Sequence, residues 1–160
     1  MAEKKTNAMR ILDRMKIKYT AHEYDSGGTV TDGLSVAEKT GLDPDRVFKT
    51  LVTKSASKTY CVFVIPCNKE LDLKKAARAA GEKSVEMIHV SEINSVTGYI
   101  RGGCSPIGMK KQYRTYFDNR VNKFETVTVS AGKIGCQIEA APEDLLRASC
   151  GSCADITADG

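Results

Sequence analysis

Apolar residues along this chain recur in two rhythms, one helical and one extended. Met9, Ile11, Leu12 and Met15 follow helical spacing behind Asn7, which is placed to cap a first helix. The chain then turns extended through Ile17, Tyr19 and Ala21. Ser26-Gly27-Gly28 breaks regularity, Ser35 with Glu38 has the spacing of a capping box, and Gly41 can end the short helix between them. Asp43-Pro44 opens a further turn.

Phe48 to Thr53 and Tyr60 to Ile65 are β-rich and flank the polar loop 54–58, which predicts an antiparallel hairpin. The second segment is almost continuously apolar, so it should be covered on both faces. Asp72 caps a Lys- and Ala-rich helix, Leu73 to Ala80, closed by Gly81, with Lys74, Lys75 and Arg78 facing water. A short strand at 85–87, a short helix near 91–96, strands at 113–117, 126–130 and 136–140, and a helix opened by Pro142 complete the order. Hairpins interrupt strand-helix alternation. The expected fold is therefore α/β: one domain over 1–160, with a central mixed, barrel-like sheet surrounded by helices.

At 17.4 kDa the folded surface should be roughly 7,900 Å². That leaves about 69% of the unfolded surface buried and a real core. The 41% hydrophobic and 28% charged shares are those of an ordinary globular chain. The longest apolar run, Cys61 to Cys67, holds a proline and is far short of a membrane span, and charges break the N-terminal segment where a secretory signal needs an apolar core. No membrane partner and a cytoplasmic location follow as expectations. A net charge of +4 permits a polyanionic partner without demanding one.

Familiar chemical motifs are mostly missing. No dinucleotide or P-loop pattern occurs, and His22 and His89 are too few and too separated for a histidine metal motif. Packing or surface exposure is the better reading for both. Cys150 and Cys153 have redox-pair spacing, but they follow a helix instead of opening one, so neither redox nor zinc chemistry is favoured. Lys49 starts an apolar strand and could carry an ammonium to a pocket edge, although from spacing alone a solvated strand-end lysine is the better reading. The glycine-rich stretch 98–111 and the turn Ser130-Ala131-Gly132-Lys133 could hold oxyanions or be structural.

Five blocks change this balance. Phe48-Lys49-Thr50-Leu51, 71–77, 83–87, 97–108 and 129–135 occur together and in order, and in them the chain closely resembles the YbaK/EbsC family of Cys-tRNA(Pro) and Cys-tRNA(Cys) deacylases. The resemblance implies an aminoacyl-tRNA editing pocket in which Lys49 is the essential lysine. It implies Tyr24 as the upstream tyrosine, Thr50 beside the pocket, Gly98, Gly102 and Gly103 as substrate-lining backbone, and Ser130 as a supporting hydroxyl. Family members often carry an aspartate where this chain has Gln137, which can hydrogen-bond but supplies no negative charge. Ile134 likewise replaces a common basic residue.

The resemblance further implies hydrolysis of mischarged Cys-tRNA(Pro), and of Cys-tRNA(Cys), through attack by the substrate's own thiol, with no cofactor and no metal. Mischarged tRNA is then the partner, with prolyl-tRNA synthetase as its carrier, and the role is translation quality control. Two alternatives stay open: a deacylase for Ala-tRNA(Pro) or another misacylated tRNA, and a noncatalytic tRNA- or synthetase-associated module, motivated by Lys74, Lys75, Lys110 and Lys111.

Overall fold

A computed structural model describes residues 5–24, 33–100 and 103–158. The Ser26-Gly27-Gly28 break and Gly102 lie outside these residues. The accessible surface is 8485 Å², close to that expected for this mass.

Helix α1 spans Asn7–Arg14 and is capped by Thr6, not Asn7: the Thr6 hydroxyl accepts from the Met9 amide at 3.2 Å. Asn7 instead reaches the Gly108 carbonyl at 3.0 Å. Strand β1 (Thr20–Glu23) follows, then α2 (Gly33–Thr40), whose first turn includes Ser35. The hairpin β2 (Phe48–Ser55) and β3 (Tyr60–Pro66) is antiparallel, with Lys49 opposite Ile65 and Thr50 opposite Val64. Helix α3 (Leu73–Ala80) takes its predicted bounds, because the Asp72 side chain accepts from the amides of Lys74 and Lys75 and Gly81 closes the helix at φ 69°. Then come β4 (Val85–Met87), α4 (Ile93–Thr97), β5 (Arg114–Asp118), β6 (Val127–Lys133), β7 (Cys136–Ala140), α5 (Pro142–Ser149) and β8 (Ser152–Ala154).

The expectation of a barrel is overturned. The strands form two separate sheets, a three-stranded antiparallel one in the order β1-β7-β6 and a five-stranded mixed one in the order β4-β2-β3-β5-β8. Among the described residues a single parallel bridge, Val47 to Thr128, joins them. A barrel needs its terminal strands hydrogen-bonded to each other. Here β1, β4 and β8 remain edges, so the architecture is α/β with an open mixed sheet and flanking helices.

Strand β3 is covered on both faces, as its unbroken apolar run predicts. Val62 and Val64 join α1, β6 and β7 in the larger cluster, and Cys61, Phe63 and Ile65 pack under α3 through Ala76, Ala77 and Ala80. A smaller cluster of Ala37, Val47 and Cys67 sits under α2. No helix among the described residues is long and apolar enough to cross a membrane.

Candidate functional site

The register of β2, β6, β7 and β1 assembles the site. Val47 and Thr128 are bridged in parallel, so Lys49 and Ser130, each two residues further on, stand level on one face. Ser130 is paired with Gln137, and Gln137 with His22. Lys49, Ser130, Gln137 and His22 thus make one polar row across four strands. Its far face is apolar, since Phe48, Val129, Ala131, Cys136 and Ile138 all enter the larger core cluster. Tyr24 continues the chain from His22, and its amide donates to the Gly135 carbonyl at 3.0 Å, which pins it to the turn after β6.

These side chains have unused hydrogen-bonding capacity. Lys49 is half-buried and has no hydrogen-bond or ion-pair partner among the described residues. Gln137 is 6% exposed, and no described residue bonds its amide. Ser130, 9% exposed, accepts from the Gly132 amide at 3.2 Å and is left with a hydroxyl proton to donate. The Tyr24 hydroxyl and the Thr50 hydroxyl are fully buried and have no hydrogen-bond partner among the described residues. A buried hydroxyl left unpaired costs about 1–3 kcal/mol, and such atoms mark places where a ligand completes the bonding. Strand alternation turns Thr50 to the face opposite Lys49, beside Phe48 and Val64.

The glycine segment meets the turn between β6 and β7, beyond the Ser130–Gln137 pair. Gly103 lies against the turn at Lys133 and Ile134: a Cβ there would stand 2.9 Å from the Lys133 carbonyl carbon and from the Ile134 nitrogen. Gly98 ends α4 at φ 86°, and its amide already donates to Asn94, as that of Gly103 does to Ile100. Neither amide is therefore available to an oxyanion in this conformation.

Two features escaped the reading of the sequence. Tyr99 is a buried pillar whose hydroxyl donates to the Ile107 carbonyl at 2.5 Å, while its ring edge occupies the space a Cβ at Gly132 would need. Burial pushes its hydroxyl up to about 12. The second is a charged lattice one row from Gln137. His22 Nε2 lies 2.7 Å from Glu139 Oε1, the Thr126 hydroxyl donates to the other carboxylate oxygen, and Arg46 lies 3.7 Å from it. The Thr126 hydroxyl foremost, then His22 and Arg46, holds the Glu139 carboxyl below its ordinary range. A histidine two residues before Tyr24 was the available signal.

No group of three or more metal-ligating side chains occurs among the described residues. Cys150 and Cys153 are exposed, and Cys153 lies in β8, paired to β5. Cys104 follows Gly103, and burial pushes its thiol up to about 11.

Comparison with known proteins decides the lineage. Residues 30–148 match the model of the aminoacyl-tRNA editing domain. The chain belongs to that family. Within it the kinship is with the YbaK/EbsC line, as the five motif blocks suggested: EbsC of Enterococcus faecalis is 48% identical over 97% of this chain and 94% of its own length, and carries the provisional name Cys-tRNA(Pro)/Cys-tRNA(Cys) deacylase. A proline–tRNA ligase of Shouchella clausii is 30% identical over 62% of this chain, which corresponds to 17% of the ligase. Among solved structures, hypothetical protein APE2540 superposes with a TM-score of 0.85 at 20% identity, covering 95% of this chain and 99% of its own. One described provisionally as a trans-editing enzyme for prolyl-tRNA synthetase superposes at 0.80 with 22% identity, covering 97% and 99%. At those identities the superpositions establish the editing-domain fold.

Proposed function

We propose that this editing domain is a trans-editing deacylase that removes cysteine from Cys-tRNA(Pro), with the substrate's own thiol as nucleophile. The full-length kinship to EbsC carries this reading, and the polar row ending at an unpaired lysine supports it. The cysteinyl sulfur attacks the ester carbonyl, a carbon–sulfur bond closes a small cyclic thioester, and the bond to the ribose oxygen breaks. The thiol proton passes to the departing ribose oxygen, which becomes the tRNA's free hydroxyl, and water then opens the thioester.

In this reading Lys49 carries the positive charge that faces the developing oxyanion. Ser130 and Gln137 hold the aminoacyl group in a conformation that brings sulfur to carbonyl, while Tyr24 offers a hydroxyl and Gly98, Gly102 and Gly103 shape the boundary; Thr50, on the opposite face of β2, takes no direct part. Fit alone separates side chains differing by a small group only by roughly 10–200-fold. A thiol of ordinary pKa about 8.5 adds a reactivity that no alanyl or prolyl group has. Mischarged tRNA would be delivered by prolyl-tRNA synthetase.

The test is deacylation of Cys-tRNA(Pro), Cys-tRNA(Cys), Ala-tRNA(Pro) and Pro-tRNA(Pro) by the wild type and by Lys49→Ala. Cysteine should leave both tRNAs faster than alanine or proline by more than size selection gives, and Lys49→Ala should lose roughly a hundredfold or more with an unchanged circular dichroism spectrum. Equal rates for cysteine and alanine would exclude the thiol mechanism, and alanine release alone would reassign the substrate.

A further inference from the structure

The dyad of His22 and Glu139 adjoins the row yet has no part in the mechanism above. His22 is the cross-strand neighbour of Gln137 on the same face. Glu139 is held ionised by Thr126, His22 and Arg46, and an ionised carboxylate only accepts hydrogen bonds, so Nε2 of His22 carries the hydrogen in their 2.7 Å contact. In the neutral ring Nδ1 is then a bare acceptor, and no described residue bonds it. Glu139 fixes the tautomer and the ring plane, the arrangement by which a second carboxylate makes an imidazole a directed acceptor.

A cysteinyl ester brings one charged group of its own, the α-ammonium. The row offers it nothing anionic: Lys49 is cationic, and Ser130 and Gln137 are neutral. We propose that His22, oriented by Glu139, is the binding residue for the substrate's α-ammonium group, through Nδ1. The carboxylate polarises the ring and lends the pair the negative charge that Gln137 lacks. This rests on the deacylase reading for the identity of the occupant, but its test does not require turnover.

The experiment compares two uncleavable probes, adenosine carrying a 3′-amide to cysteine and the same compound with 3-mercaptopropionate, which lacks only the amino group. Their Kd values are measured by calorimetry on the full chain. For the wild type the amino-bearing probe should bind roughly 10–100-fold tighter, as for a charge-assisted hydrogen bond. His22→Asn should bring that ratio to near one while the weaker probe's Kd stays constant. Glu139→Gln, which keeps the imidazole but removes its orienting charge, should lower the ratio partway and serves if His22→Asn fails to fold. Adding Gln137→Asp to His22→Asn should restore it, because a carboxylate then stands in the adjacent position.

A merely structural His22 would alter melting temperature and weaken both probes together. An undiminished ratio in His22→Asn overturns the contact and leaves the deacylase reading standing. A wild type that binds neither probe removes the proposed substrate along with the contact.

Discussion

Replacing Gly103 by alanine tests the contact between the glycine segment and the turn after β6. The backbone conformation is not the obstacle, since the glycines of positive φ do not include Gly103. Space is. The new methyl carbon would lie 2.9 Å from the Lys133 carbonyl carbon, 2.9 Å from the Ile134 nitrogen and 3.0 Å from the Lys133 Cα. All three are main-chain atoms in the turn between two paired strands, so no side chain can swing away. Reaching ordinary contact requires a separation of roughly 0.5 Å, and overpacking of this kind costs about 1–3 kcal/mol. For a chain of this size each kcal/mol lowers Tm by about 2–4 °C.

The displaced turn leads directly into Gln137 and ends the strand that carries Ser130, so the row should shift with it. Misplacement by about 1 Å can cost a hundredfold in rate, and the smaller shift here should cost roughly tenfold or more. Calorimetric melting with single-turnover deacylation of Cys-tRNA(Pro) reads both effects. Gly81→Ala is the contrast: its Cβ meets open space at φ 69°, so it should lose about 1 kcal/mol from the left-handed backbone and keep full turnover. If Gly103→Ala melts and turns over like the wild type, the glycine segment does not rest on the turn at 133–134.

Two further outcomes are expected. Thr50→Val removes a buried hydroxyl that has no partner among the described residues, so Tm should be unchanged or higher by the equivalent of up to about 1 kcal/mol; a loss of that size in thermal melting would mean the hydroxyl is bonded. Cys104, pushed up to about 11, is under about 1% thiolate at pH 8, so a thiol reagent followed by mass spectrometry should label the exposed Cys150 and Cys153 long before it, and first labelling at Cys104 would refute its burial. The sign for stability is also set. The folded state holds the Cys104 and Tyr99 protons longer than the unfolded chain, so stability should fall as pH rises from about 9 to 12, and denaturation midpoints rising over that interval would contradict it.

What the sequence disclosed followed local signals. Helix α3 was legible to the residue because Asp72 and Gly81 cap it by their own chemistry, and the β2–β3 hairpin because a polar loop separates two apolar runs. Strand β8 was not. Ser152, Cys153 and Ala154 carry no strand signature and become extended by parallel pairing with β5, 34 or more residues away. A barrel was expected where none forms for the same reason: a strand's apolar pattern says which face is buried and nothing about which edge finds a partner. The site divides likewise. Family motifs pointed to Lys49, Ser130 and Gln137, but only the cross-sheet bridge at Val47 and Thr128 puts them in one row, and only alternation along β2 separates Lys49 from Thr50.

The same row narrows where a nucleophile can come from. Gln137 cannot remove a proton from water, and Glu139, the carboxylate nearest it along β7, already accepts from Thr126 and meets His22 and Arg46. Its lowered proton affinity makes it a poor base. Among the protein's own thiols, Cys104 is largely protonated at neutral pH and Cys136 is buried on the core side of β7, while the two exposed cysteines lie near β8 in the other sheet. The acceptor in the row that could serve water as a base, Nδ1 of His22, is the atom proposed above to hold the substrate's α-ammonium, and no cysteine stands in the row to attack as a thiolate. A substrate that brings its own thiol needs neither, only a cation for the oxyanion and a surface that folds the aminoacyl group back on itself. Lys49 and the Ser130–Gln137 pair are suited to those two tasks, and neither task needs a carboxylate at position 137.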